Sequence, residues 1–246
     1  MHPSRIPMLL RLRNAAASMG ELAQRQDRVA SNLANANTVG YRRDRAFSTA
    51  LSERIDREGA PQSTRVGGQA ADVAPGVPIQ TGNPLDLALE GDGLFAIRDT
   101  DGRTRYTRAG EFLLDAEGTV RTPQGHALLT TDGNPLTLPP SGGEIGVNTA
   151  GEVSVGGLRV GRIATFEVAD PAGLVRLDGA TFASAGVEAR PSETRMRQGF
   201  LEGSNVDAVG EMVELMSHVR LFESQQKALR SADDSLAAAT RDLGSF

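Results

Sequence analysis

The chain has 246 residues, 39% of them apolar, enough for one large domain or two small ones with a modest core. Its formal charge is −5 and 25 of its 26 basic residues are arginine, with Lys227 the lone lysine, a balance that offers no electrostatic footprint for nucleic acid or an anionic membrane. Cysteine is absent, which excludes disulfides, a thiolate nucleophile and a cysteine-bound metal, and leaves oxidising and reducing compartments equally open.

The N-terminus imitates a signal peptide. Arg11 and Arg13, however, interrupt the apolar run that ends at Leu10, short of the roughly 7–15 residues a secretory core needs. No cleaved signal is expected, and no stretch of about 18 apolar residues predicts a transmembrane helix. From Met8 the positions Leu12, Ala15, Met19, Leu22, Gln26, Val29, Leu33 and Ala36 alternate in steps of four and three, and Gln26 alone breaks the seam. This spacing predicts one long amphipathic helix. It runs into Asn32, Asn35 and Asn37 and then into Thr38, Val39, Gly40 and Tyr41. Asn35 and Asn37 are expected to satisfy the last helix carbonyls, with Gly40 supplying a positive φ for the turn.

Residues 44–84 read as an extended linker, dense in mixed charge and then rich in Gly, Pro, Ser and Gln. From residue 85 to residue 200 the period shortens to strand-like runs such as LFAIR (94–98) and TRYTR (104–108). Turn pairs at Asp101-Gly102, Glu117-Gly118 and Asp132-Gly133 punctuate them. The last segment, 201–246, reads as a second long helix, with Ser204 or Asn205 as its cap. Leu215, Phe222, Leu229, Leu236 and Leu243 fall seven apart there, with Met212, Val219 and Gln226 three residues ahead of the first three. The predicted class is therefore α+β: N-terminal helix and motif over 1–43, linker over 44–84, central β-domain over 85–200 and C-terminal helix over 201–246. Seams this long need partners, and the termini are expected to pair with each other and with neighbouring copies as a coiled-coil-like layer.

Candidate chemistry is sparse. Gly91, Gly93 and Ala96 match the start of a dinucleotide fingerprint, but no room follows for the helix that would hold a pyrophosphate. Asp99, Asp101, Asp115 and Glu117 lack the glycine and glutamate of a calcium loop and read as hairpin turns. His2, His126 and His218 have neither metal-ligand spacing nor a nucleophile beside them. No catalytic residue, metal or cofactor is expected, and the chain reads as a non-enzyme.

Three ordered blocks carry a resemblance. Asn32, Leu33, Ala34, Asn35, Thr38, Gly40 and Tyr41 fit the signature N-L-A-N-x-x-T-x-G-[YF]; residues 82–95 (GNPLDLALEGDGLF), continued by 106–112 (YTRAGEF), form a second block; residues 201–206 (LEGSNV) form a third. Together they resemble the bacterial flagellar rod and hook proteins of the axial family. Arg220 through Lys227 and Ser231 to Asp234 are most similar to its proximal-rod members, with distal-rod members the near rivals. The resemblance implies a self-assembling structural subunit of a torque-transmitting rod. Its implied location is the periplasmic part of the flagellar basal body, reached through the flagellar type III export apparatus. Its implied partners are copies of itself, other rod subunits and surrounding rings, with no nucleic acid and no membrane insertion. Its assembly residues would be Asn32, Leu33, Asn35, Asn37, Thr38, Gly40 and Tyr41 in the first block and Leu215, Phe222, Leu229 and Leu236 on the last helix. A soluble coiled-coil oligomer with a β-head is the alternative, and closed symmetry against open helical assembly separates the two.

Overall fold

The computed structural model of the protein describes residues 6–47, 68–72, 74–140, 142–168, 174–184 and 189–243. The chain is mixed α and β, with two long helices flanking a β-rich middle in sequence, and it divides into two compact units. The helices form one unit and residues 35–206 the other.

In the helical unit, α1 spans Ile6–Ala34 and α2 spans Ala208–Leu243. Asp207 starts α2: its Oδ1 accepts from Val209 N at 3.2 Å and its carbonyl from Glu211 N at 2.9 Å. The cap is thus two or three residues later than the Asn205 or Ser204 expected, after the strand Phe200–Glu202. A carboxylate is favoured there by the helix dipole. Along α1, Leu22 and Val29 are buried and Met19, Gln26 and Leu33 half-buried, so one continuous face is covered. Asn32 Nδ2, in the last turn of α1, donates to Glu211 Oε2 in the first turn of α2 at 3.3 Å. The two helices pack on each other and run antiparallel from that point.

The covered face of α2 differs in phase from the expected seam. Leu215, Phe222 and Leu229 are half-buried, but the line beside them is Glu211, His218 and Gln225, four residues ahead of each. Met212 and Val219, expected there, are 46% and 36% exposed. A step of three and a step of four fall on opposite sides of a 3.6-residue turn, and pattern spacing alone does not say which side meets the partner. The side chain of Leu236 lies outside the described residues.

In the β unit, the antiparallel ladder of Leu94–Arg98, Thr104–Thr107 and Thr181–Ser184 forms the middle of the largest sheet. Buried Phe95 and Phe112 meet edge to face at 5.4 Å in its core, with Ile97, Leu128 and Met196 around them. The stretch 44–84, read as a linker, holds three described strands: Asp44–Phe47 pairs with Gly68–Ala71, and Pro78–Gln80 pairs with Phe200–Glu202. Strand Arg195–Gln198 pairs with Leu87–Glu90, so the end of the unit folds back along its beginning.

Turns beginning at Asp99, Asp115, Thr122, Thr130 and Asn148 share one geometry. In each, the glycine N–H three residues on donates to the first residue's carbonyl, and the first residue's N–H donates to the carbonyl four residues on. Those glycines, 102, 118, 125, 133 and 151, all have φ between 78° and 88°, which a side chain resists. Asp99, Asp115 and Asn148 add a side-chain oxygen that accepts from the N–H groups two and four residues ahead.

Candidate functional site

The β unit gathers residues from all the sequence blocks around one carboxylate, Glu202. The backbone begins the assembly. Gly40 N donates to Glu202 O at 2.7 Å, Arg43 N to Asn205 Oδ1 at 2.6 Å, and Asn205 N to Tyr41 O at 3.3 Å. The segment that follows α1 therefore lies beside the one that precedes α2. Asn205 Nδ2 extends the contact to the carbonyls of Asp72 at 3.1 Å and Ala74 at 2.9 Å.

Glu202 itself is 4% exposed and holds two guanidinium groups. Arg42 Nη2 lies 2.9 Å from Oε1, and Arg108 Nε donates to Oε2. Gly76 N adds a third donor to Oε1 at 2.8 Å. Two cations around one anion leave an excess positive charge in a dry site, and carbonyl dipoles balance it. Arg108 donates its remaining nitrogens to Leu89 O at 2.7 Å and to Gly93 O, and Arg42 donates to Ala74 O. Both Glu202 oxygens and all three Arg108 nitrogens thereby have partners, as do both terminal nitrogens of Arg42, which makes such a cluster tolerable. Burial lowers the Arg42 pKa from its usual value; Glu202 opposes that shift, and the charge of Arg108 adds to it.

Glycines let the backbones approach. A Cβ on Gly40, where φ is 65°, would sit 2.3 Å from Ala109 N and 2.4 Å from Arg108 C. A Cβ on Gly110 would meet Leu87 O at 1.7 Å, and one on Gly76 would meet Gly203 O at 2.0 Å. These three positions need glycine for lack of space.

Tyr41, 1% exposed, closes the other side. The Arg176 guanidinium stacks on its ring at 4.4 Å and over Phe182 at 4.8 Å. Arg176 also bonds Asp44 Oδ1 at 2.9 Å and Arg42 O at 2.5 Å. A second layer of arginine thus pins the same backbone segment.

The residues expected from the motifs fall in two places. Asn35, Thr38, Gly40 and Tyr41 belong to the β unit: Thr38 Oγ1 donates to Asn35 Oδ1 at 3.1 Å, and Thr38 N to Asn35 O at 3.1 Å. Asn37 is exposed. No described non-glycine residue has a positive φ, so the asparagines are not in left-handed conformations and Gly40 alone supplies that bend in this segment. Asn32 and Leu33 belong to α1, and Leu215, Phe222 and Leu229 to the covered face of α2. Sequence reasoning missed Arg42, Arg108 and Glu202 as a cluster. The available signal was that Tyr41-Arg42, Thr107-Arg108-Ala109 and Leu201-Glu202 each put a charge among apolar or small residues inside a block.

The glycines and carboxylates weighed for a nucleotide or a calcium ion take other roles. Gly93 leads into the strand Leu94–Arg98 rather than a helix. Asp99 and Asp115 spend their oxygens on turn N–H groups and on Arg105 and Arg121. Among the described residues no group of three or more His, Cys, Asp or Glu side chains could hold a metal. His2 lies outside them. No described helix is long and apolar enough to cross a membrane.

The three segments that meet here are also those matched by known families. Residues 12–42 match the family model described as "Flagella basal body rod protein", residues 88–155 "Flagellar hook protein FlgE/F/G D1 domain", and residues 197–242 "Flagellar basal body rod FlgEFG protein C-terminal". The chain is 34% identical to the flagellar basal-body rod protein FlgF of Escherichia coli, over 93% of this chain and 96% of that one. It is 32% identical to FlgF of Rhizobium meliloti over 94% and 96%. It is 31% identical to FlgG of Agrobacterium fabrum over 93% and 97%. The chain belongs to the flagellar basal-body rod protein family.

Proposed function

We propose that the chain is a structural subunit of the flagellar basal-body rod that assembles with copies of itself and with other rod subunits into the shaft transmitting torque. The observation that carries this reading is that the similarity to FlgF and FlgG runs through both helices and the β unit, covering 93–94% of the chain. The task is mechanical and needs no catalytic residue. In the assembled rod the paired helices would form a coiled-coil-like inner layer and the β unit an outer one. The apolar stripe left on α2 by Val209, Met212, Val213 and Met216 supports contacts between copies, since it is 46–71% exposed in the single chain.

Within the rod we assign the chain to the proximal segment occupied by FlgF-type subunits, on the similarity of residues 220–227 and 231–234 and on chain length. A distal, FlgG-type position is the second reading, favoured by the 31% identity to a FlgG over nearly the whole chain. Entry through the type III export channel and contact with the rings around the rod follow from that place in the basal body. Deleting the gene tests the function. Loss of swimming, with basal bodies that lack the rod beyond one level, is the expected result; intact rods and normal swimming would overturn it.

A further inference from the structure

The chain leaves α1 at Ala34 and begins α2 at Ala208, and everything between belongs to the β unit. That unit is held by its two ends. Any load that reaches it along the chain from the helices arrives at residues 35 and 206, so the bonds nearest those residues decide whether the unit opens.

Those bonds are few, and they join the first segment of the unit directly to the last. Gly40 N donates to Glu202 O; Asn205 accepts from Arg43 N at 2.6 Å and donates its own N–H to Tyr41 O at 3.3 Å. Arg42 Nη2 then reaches Glu202 Oε1 at 2.9 Å, and Arg108 Nε holds the other oxygen of the same carboxylate. The result is a cross-tie. Arg43 and Asn205 lie 162 positions apart, and tension follows the shortest connected path, so a pull on the two ends crosses the tie and leaves the chain between them slack.

The chemistry of the tie suits tension. Apolar contacts are non-directional, which lets apolar surfaces slide before they part. Charge-assisted hydrogen bonds fix distance and angle, and in a dry site no water stands ready to replace one that lengthens. Glu202, Arg42 and Arg108 are all buried. Each partner is also anchored behind the tie: Arg108 by the carbonyls of Leu89 and Gly93, Asn205 Nδ2 by those of Asp72 and Ala74, and the Tyr41-Arg42 segment by Arg176. Arg176 lies on the strand Leu174–Asp178 of the largest sheet.

We propose that Arg42, Arg108, Glu202 and Asn205 form a mechanical clamp that closes the β unit at its two ends, so that a load arriving from the helices crosses the clamp instead of unravelling the strands. That a turning rod supplies such a load rests on the function proposed above. The clamp itself is a property of one chain, and the two are tested separately.

The test pulls single full-length chains through tags at their two termini. The paired helices open first, from their free ends. Opening of the β unit then shows as a gain of roughly 550 Å, the 162 positions between Arg43 and Asn205 at about 3.4 Å each. Forced opening is governed by the unfolding barrier, which separates a clamp from general stability. The unaltered chain should release this length in one step. Glu202→Gln keeps the shape but removes the charge, and Asn205→Ala removes the side-chain partner of Arg43 N; both should lower the opening force by about a third or more. Leu128→Ala, in the apolar core, should lower the thermal midpoint yet leave the force nearly unchanged. If Glu202→Gln does not fold, Asn205→Ala decides. An unaltered force in Asn205→Ala would overturn the inference, because the ends would then be held by something else. An equal fall in Leu128→Ala would overturn it as well, since the cluster would be one contributor to stability among many. Neither result depends on whether the protein joins a rod.

Discussion

Arg108 Nε donates to Glu202 Oε2 where the two side chains are only 1% and 6% exposed, and the bond joins residues 94 positions apart. Removing the carboxylate would leave the buried Arg42 and Arg108 guanidinium groups with their carbonyl partners but without the anion that bonds both. Glu202→Ala should therefore destabilise the β unit by about 3–5 kcal/mol. Calorimetry of the purified chain checks this, and a loss under about 1 kcal/mol would mean that water enters the cluster.

Gly40 and Gly102 both have positive φ, 65° and 78°, but only Gly40 faces backbone atoms within 4 Å. Gly102→Ala should cost only the conformational penalty of about 1–2 kcal/mol. Gly40→Ala adds a collision with Ala109 N and should cost clearly more, or displace the segment altogether. Denaturant midpoints of the two variants give the comparison; equal midpoints would contradict the close approach.

The two faces of α2 should respond differently to charge. Phe222 lies on the covered face and Met216, 60% exposed, on the open one. Phe222→Asp places a carboxylate against α1 and should cost several kcal/mol of helix pairing, seen as lost helicity in the isolated chain. Met216→Asp should leave that helicity unchanged and still prevent incorporation and swimming. A Met216→Asp strain that swims normally would show that the open stripe has no partner.

Acid should weaken the hairpins. Backbone N–H donation, first from Arg103, holds the Asp99 pKa below its ordinary 3.8, and for Asp115 the main cause is the hydrogen bond from Arg121. Because the folded pKa values are depressed, the unfolded chain takes up protons first as pH falls. The stabilisation is complete above roughly pH 4–5 and is lost as pH drops through the folded values. Thermal midpoints measured from pH 6 to pH 2 should fall at the acid end, and Asp115→Asn should flatten that fall.

Part of this was legible in the residues. LFAIR became the strand Leu94–Arg98, since a short apolar run closed by a turn pair has little other use. The Met19, Leu22, Gln26, Val29, Leu33 line is the covered face of α1, because helical periodicity survives whatever the partner is. The face of α2 was less legible. Its two stripes are both plausible by spacing, and the one chosen carries Glu211 and His218, which composition assigns to solvent. Glu202 was hidden for the same reason. A glutamate before a helix reads as a dipole partner, and only long-range pairing turns it into the centre of an ion cluster. The strands between residues 145 and 162 were also missed, their pattern broken by glycines and by a shift of register at Val153 and Ser154.

Imaging the chain in place shows whether it is part of the rod. Basal bodies are purified from a strain carrying the full-length protein with a small tag on the Leu158 hairpin, where that side chain is 76% exposed, and the tag is located by electron cryomicroscopy. Tag density is expected to repeat helically on the outside of the proximal rod, with the paired helices inside it. Absence of the chain from basal bodies, together with a small closed oligomer in solution, would contradict it.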